Sequence, residues 1–455
     1  MCAAAAEAIF FERKDSRSSE LLISFIVPVY NAAATLVRTL ESICAAGTEF
    51  LEIIIVHDGG TDNSLQIAEN WAKARECPAR ILLLDQPNRG AAAARMTGVK
   101  YAQGTYIAFL DSDDHINAFV YRQMAKNAAS DGWDIGICRS AVWDATDATT
   151  YSFYDWHVWE KLCGPDALSV KSLATAPLLL RLEPNANTRI IKRHFFQSAK
   201  IGFPDGLLFE DLPPHFLGLI KATRVGLFNA TGYYYTVSRR GKITESRTMR
   251  RFDMLQAGLI ATNILIENRV SSSAGAAGTA ALARLVFWCG QMAPNSTREQ
   301  YFKESFSLFK RLPTEWKQSA LRTICVDTRE RLVLLALSSS DLLLALKLCD
   351  YTLTRPTNKS LFSPYRDVAL KLAVRPMLQG VGRTSIGILS VPLRVLSVPL
   401  RVMESKYLAE FLCTLANELR PMAKRFPAIA NLVEGLHQAG GSMWNRTTRT
   451  SRKGF

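Results

Sequence analysis

The chain has 455 residues, 48% of them hydrophobic and 21% charged, and its 55 basic and 41 acidic side chains give a net charge of +14. That length and apolar content allow two domains with a sizeable core and exclude a disordered or disulfide-built chain; nine scattered cysteines without a C-x-x-C pair suit a reducing cytoplasm. The basic charge would also suit nucleic acid, but no nucleic-acid-binding module accompanies it, so no nucleic-acid partner is expected.

Residues 1–20 read as an N-terminal tail, without the basic start and apolar core of a secretory signal. Ile23 to Val29 is a short apolar run that reads as a buried strand, followed by a helical pattern from Ala34 to Ala46. Leu36, Val37, Leu40, Ile43 and Cys44 mark its apolar face, and Gly47 is its stop. Leu51 to Val56 is a second strand and Ser64 to Arg75 a second helix. Arg80 to Leu84 and the Ala-rich stretch Ala91 to Ala102 repeat the alternation, and Thr105 to Leu110 is a fourth strand. Strands alternating with helices predict a doubly wound, mainly parallel α/β sheet, which binds ligands outside the carboxyl ends of its strands.

Polar residues collect at those ends. Tyr30 and Asn31 follow the first strand; His57, Asp58, Thr61 and Asp62 the second; Asn88 and Arg89 the third. The fourth ends in Asp111-Ser112-Asp113-Asp114, where crowded carboxylates raise one another's pKa. A divalent cation, Mg²⁺ or Mn²⁺, would relieve that crowding, and Mg²⁺ commonly shares its coordination with substrate phosphates. The alternative is an acidic turn capping the next helix. No G-x-G-x-x-G follows the first strand and no G-x-x-x-x-G-K-[ST] occurs, which disfavours a dinucleotide oxidoreductase and a P-loop NTPase.

Four segments together resemble the motifs of family 2 glycosyltransferases, in the family's order and spacing. They are Ser24 to Asn31, Val56 to Ser64, Asn88-Arg89-Gly90 with Ala94-Arg95, and Phe109 to Asp114. The resemblance spans roughly residues 21 to 245 and implies the GT-A fold, a nucleotide-diphosphate sugar donor, a divalent metal and inversion at the anomeric centre. By that resemblance Pro28, Tyr30 and Asn31 line the nucleotide pocket, and Asp58 accepts a hydrogen bond from the base, uracil in many relatives. Asn88 and Arg95 lie near the nucleotide and its phosphates. Asp111, Ser112 and Asp113 form the D-x-D stretch, with Asp111 and Asp113 contacting ribose and metal. In Phe203 to Asp211 the family's Glu-Asp pair falls on Glu210 and Asp211, making Asp211 the base and Glu210 its neighbour in acceptor binding. Arg239, after Tyr233-Tyr234-Tyr235, is the candidate to approach the diphosphate. Three positions depart from the pattern: His57 and Gly60 stand where many relatives have Asp and Ser, and Met96 replaces an amide residue. His57 reads as a strand-end substitution rather than a catalytic acid. The aromatic stretch Tyr151 to Trp159 can stack on acceptor sugars or pack over the sheet, and the area such rings bury favours packing.

All of the basic excess lies after residue 250: the first 250 residues carry 27 basic and 27 acidic side chains, the remainder 28 and 14. The GT-A domain, 21–245, is expected to be followed by a mostly α-helical basic domain, 250–440, and a basic tail, 441–455. Arg331 to Cys349 is apolar but interrupted at Ser338 to Asp341, which makes it a poor membrane span. Ile388 to Arg394 is nearly repeated at Val395 to Arg401, with a proline in each copy. Basic charge beside apolar segments suits an anionic membrane surface or a lipid-linked pyrophosphate acceptor. The expected setting is glycan or lipid-linked glycan assembly by a cytoplasmic enzyme, peripheral at the inner face of a membrane. Two other classes stay open, a silent nucleotide-sugar-binding scaffold and a nucleotide-sugar hydrolase. Asp211 argues against the first and the large second domain against the second.

Overall fold

The structure, a computed structural model, describes residues 8–13, 22–47, 51–74, 80–237, 247–324 and 328–353. Its strands are β1 (Ala8–Arg13), β2 (Ile23–Val29), β3 (Leu51–Asp58), β4 (Arg80–Gln86), β5 (Tyr106–Phe109), β6 (His115–Ile116), β7 (Ile135–Asp144), β8 (Thr149–Ser152), β9 (Leu168–Lys171), β10 (Arg189–Lys192) and β11 (Val225–Val237). Its helices are α1 (Leu36–Cys44), α2 (Ser64–Ala74), α3 (Ala91–Tyr101), α4 (Ala118–Asp131), α5 (Trp156–Cys163), α6 (Arg193–Ser198), α7 (Leu212–Lys221), α8 (Asp253–Glu267), α9 (Ser272–Met292), α10 (Arg298–Arg311), α11 (Thr314–Ser319), α12 (Thr328–Ser339) and α13 (Leu342–Leu353).

Among the described residues one sheet runs in the order β1-β4-β3-β2-β5-β10-β7-β11-β6, with β8 on β7 and β9 on β11. The β4-β3-β2-β5 block is parallel and doubly wound as expected, and every residue of β2, β3 and β5 is buried. Burial on both faces is why these strands read as unbroken apolar runs. Pro28 sits inside β2 without breaking the sheet. The Ile26 carbonyl accepts from Leu110 N–H, so the same-parity Pro28 nitrogen faces the side where pairing with β5 has ended. On α1 Leu36, Leu40, Ile43 and Cys44 are buried, whereas Val37, expected beside them, is 43% exposed.

The sheet extends beyond the four expected strands. Residues 8–13, read as tail, pair antiparallel with β4 as an edge strand. β10 is inserted antiparallel between β5 and β7, with Ile191 opposite both Ile107 and Ile135. β5 stops two residues after Ile107, at Phe109, while β7 continues to Asp144 beside the parallel β11. The β7–β11 ribbon therefore overhangs the carboxyl ends of the parallel β4-β3-β2-β5 block and walls one side of the crevice there.

By packing, the described residues up to 324 together with 330–340 form one compact unit, and 328–329 with 341–353 belong to a second. The expected break between 245 and 250 falls inside the first unit, and the functional division there stays a proposal. The interruption expected after Arg331 is present: α12 ends at Ser339, Ser340 takes φ 57°, and Asp341 accepts from Leu344 N–H (3.0 Å) to start α13. No helix among the described residues is long and apolar enough to cross a membrane. Arg239, the repeat at 388–401 and the tail 441–455 lie outside the described residues.

Candidate active site

The loops after β2 and β3 are tied to each other. Asn31, in a left-handed conformation (φ 48°) that Asn tolerates, accepts from the N–H groups of Thr61 (2.7 Å) and Asp62 (3.3 Å). Asp62 and Ser64 in turn accept from Ala33 N–H (3.0 Å) and Ala32 N–H (2.8 Å). Asp58 is 2% exposed and accepts from Gln86 Nε2 (2.7 Å), Arg89 N–H (2.9 Å) and Gly90 N–H (2.8 Å). Its carboxylate thus shapes the Asn88–Gly90 turn. Gly59 is required here, because φ is +65° and a Cβ would lie 2.6 Å from the Asn88 nitrogen. His57 has a partner that its sequence context did not reveal. Nδ1 lies 2.7 Å from Asp85 Oδ1 and Nε2 accepts from Gly60 N–H, so the ring braces a turn. Pro28 is buried, whereas Tyr30 (52% exposed) and Asn88 are exposed in the loops that follow β2 and β4.

The acidic cluster is not a helix cap. Asn117 caps α4 through its side chain, accepting from Phe119 N–H. Helix α1 grips the cluster's backbone instead: Thr35 donates to Ser112 O (2.8 Å), Arg38 to Asp113 O (2.8 Å) and Thr39 to Asp114 O (2.7 Å). Asp114 is structural, 1% exposed, accepting from the Tyr233 hydroxyl and from Thr236 N–H (2.8 Å). Tyr233 is a packing residue of β11, and Tyr234 stacks on His115 at 4.9 Å.

Asp111 points toward the second half of the chain. Its Oδ1 accepts from Arg95 Nη2 (2.7 Å) and its Oδ2 from Asn187 Nδ2 (2.9 Å). Arg95, on α3, also donates to Glu210 Oε1 (2.6 Å) and Asp211 Oδ1 (3.3 Å), with its guanidinium 5.2 Å from the Phe203 ring. One cation therefore gathers three carboxylates from two motifs a hundred residues apart. Burial alone would lower the Arg95 pKa, but Asp211, Asp111 and Glu210 hold it well above its usual value.

Asp211 immediately precedes α7, whose Leu212-Pro213-Pro214 start suits the first helical turn and whose N-terminus favours an anion. Its Oδ2 accepts from Ala186 N–H (3.1 Å). Burial pushes its carboxyl up to about 6 against the pull of Arg95, and Glu210 and Asp111 push the same way. Nearby Glu183 is raised to about 7, first by burial and then by Asp211, against Arg284. Just before the acidic pair, Phe209 takes φ 71°, a conformation that is strained for a bulky residue and costs on the order of 1–3 kcal/mol.

Sequence reading missed Asn187, Glu183 and Phe209. Asn187 is 1% exposed, bridges Asp111 and the Tyr233 hydroxyl, and leaves its buried Oδ1 without a hydrogen-bond partner. The aromatic stretch divides: Trp159 is buried, while Tyr151, Tyr154 and Trp156 are 53%, 38% and 46% exposed. For a divalent cation the donor set is Asp111 and Asp113, both partly exposed. Among the described residues no group of three or more His, Cys, Asp or Glu could hold a metal. Two hard carboxylates fit a cation that takes its other ligands from water and a diphosphate, and they do not make an all-protein cage.

Residues 24–164 match the family model described as Glycosyl transferase family 2. Among curated relatives, the uncharacterized glycosyltransferase EpsJ of Bacillus subtilis (strain 168) is 31% identical over 47% of this chain and 60% of its own length. The succinoglycan biosynthesis protein ExoO of Rhizobium meliloti (strain 1021) is 27% identical over 52% of this chain and 66% of its own. The chain thus spans about 60% of EpsJ. Among solved structures, S. aureus TarS 1-349 in complex with UDP-GlcNAc aligns with 73% of this chain and 91% of its own at TM-score 0.56 and 18% identity, which shows a shared GT-A fold.

Proposed function

We propose that this chain, whose residues 24–164 form a family 2 glycosyltransferase domain of GT-A type, moves a sugar from a nucleotide-diphosphate sugar to a hydroxyl acceptor with inversion. The observation that carries the reading is the convergence of Asp111, Glu210 and Asp211 on Arg95, which brings the donor-side and acceptor-side motifs to one point. A UDP-sugar is the favoured donor, since the structurally similar TarS binds UDP-GlcNAc in its crystal structure. Polysaccharide or lipid-linked glycan assembly is the favoured setting, in line with the name of ExoO.

Pro28, Tyr30 and Asn31 line the nucleotide pocket, Asp58 accepts a hydrogen bond from the base while holding the turn that carries Asn88, and Asn88 and Arg95 lie near the nucleotide and its phosphates. Asp211 takes the proton from the acceptor hydroxyl, and Glu210, fixed by Arg95, orients that hydroxyl. A carboxyl near 6 is mostly ionised at pH 7 yet basic enough to accept a proton as the new bond forms. A divalent cation, Mn²⁺ or Mg²⁺, would be held by Asp111 and Asp113 with the donor diphosphate and would neutralise charge on the leaving group. Arg239 remains the candidate to approach the diphosphate. The proposed setting is the cytoplasm, peripheral at the inner face of an anionic membrane, and the basic excess after residue 250 supports the membrane part of that reading.

The test is a panel of nucleotide sugars with and without Mn²⁺, read by thermal shift and release of nucleoside diphosphate. A metal-dependent shift and slow release with one donor is the expected result. A folded protein that shifts with none of them refutes the reading.

A further inference from the structure

We infer that Phe209, Trp288 and Arg251 form a latch that positions the Glu210–Asp211 pair, so that the helices following residue 247 are part of the transfer apparatus. The inference rests on reading Asp211 as the base. The Phe209 backbone is held in the left-handed region, which a bulky side chain adopts only when its surroundings impose it. The imposing contacts are identifiable. The Phe209 ring meets Trp288 of α9 edge-on at 6.0 Å and 81°. The Arg251 guanidinium, on a fully buried residue, lies 4.9 Å over the Trp288 ring and 5.9 Å from the Phe209 ring.

The backbone just upstream is fastened from the same region. Leu208 N–H donates to Asp253 Oδ2 (2.9 Å), and Arg250 Nη2 donates both to Gly206 O (3.0 Å) and to Asp253 Oδ2 (3.1 Å). Downstream, α7 starts at Leu212 with Pro213 in its first turn and fixes the other end. The acidic pair is therefore held between a strained residue and a rigid helix start. Relaxing Phe209 to a negative φ would redirect Glu210 and Asp211 away from Arg95. Trp288 is 37% exposed, so its large ring at this place serves the contact rather than the core.

The experiment measures UDP release from UDP-glucose, UDP-galactose and UDP-N-acetylglucosamine, with Mn²⁺ present and water as acceptor. Amide exchange of residues 205–212 is followed alongside. Trp288→Ala should lower kcat roughly 10- to 100-fold, the size of effect that an ångström-scale misplacement brings, while the donor KM stays within about threefold. Exchange of the segment should accelerate, and Trp288→Phe should restore both. Should Trp288→Ala fail to fold, Phe209→Gly provides the second variant, since it removes ring and strain together and should show the same kcat loss. An unchanged kcat, a loss confined to KM, or no rescue by Phe overturns the latch. Asp211→Asn with normal kcat overturns instead the assignment of the base, whatever Trp288→Ala does, and wild-type protein that releases no UDP overturns the transferase reading beneath both.

Discussion

Replacing Arg95 with leucine removes the single cation shared by Asp111, Glu210 and Asp211, whose side chains are 34%, 13% and 21% exposed. Stripping one partner from a buried ion pair costs about 3–5 kcal/mol, and the partial exposure of these carboxylates argues for the lower end, about 3 kcal/mol near pH 8. The penalty must depend on pH. In the wild type burial already pushes the Asp211 carboxyl up to about 6 against the pull of Arg95, and without the guanidinium it rises further. A carboxyl whose folded pKa lies above its unfolded value favours the folded state at low pH and loses that benefit as pH rises through the folded pKa. Each proton taken up by the variant but not by the wild type recovers up to about 1.4 kcal/mol per pH unit. Denaturant unfolding at pH 8 and pH 5.5 should therefore show the Arg95→Leu deficit shrinking by roughly half. Adding Asp211→Asn to Arg95→Leu should cost less than the two substitutions summed. A deficit below about 1 kcal/mol, or one that does not change with pH, would refute the shared-cation account.

Asp113→Asn should abolish metal-dependent donor binding in a thermal-shift titration; unchanged binding removes it from the cation site. Asp211→Asn should leave donor affinity near normal and eliminate transfer, and the wild-type rate should rise with pH through about 6 as the base ionises, which a pH–rate profile measures. Gly59→Ala should destabilise the fold by on the order of 1–3 kcal/mol through its φ of +65° and the clash with the Asn88 backbone, read by thermal melting. Deleting residues after 375 should release the protein from anionic liposomes in a salt-sensitive manner, and a full-length protein that never sediments with them ends the membrane proposal.

The first half of the fold was legible because parallel strands buried on both faces leave an apolar run that little else imitates, as in Leu51 to Val56. The second half gave weaker signals. β10 has four residues bounded by Arg189 and Lys192, β6 has two, and β11 mixes Gly, Asn and Thr with tyrosines across an irregular register. The D-x-D and Glu-Asp positions could be found from motif order, yet nothing in the sequence linked them to Arg95, which stands 16 residues from Asp111 and 116 from Asp211. His57 looked solitary because its partner Asp85 lies on a neighbouring strand, 28 residues away. Phe209 gave no sign at all, since left-handed backbone is expected at Gly or Asn and here tertiary contacts impose it on Phe.

The insertion of β10 links topology to electrostatics. Running antiparallel between β5 and β7, it delivers the 183–188 loop to the end of β5, where Asn187 reaches Asp111 and Ala186 N–H reaches Asp211. Those donors and Arg95 leave three carboxylates against one full positive charge. A diphosphate entering beside Asp111 would add negative charge to an already acidic site and be repelled unless positive charge arrives with it. A polar network that held the proposed base at Asp211 would thereby make the donor side dependent on a cation, so the metal requirement proposed for Asp111 and Asp113 and the base proposed at Asp211 would be two consequences of one arrangement.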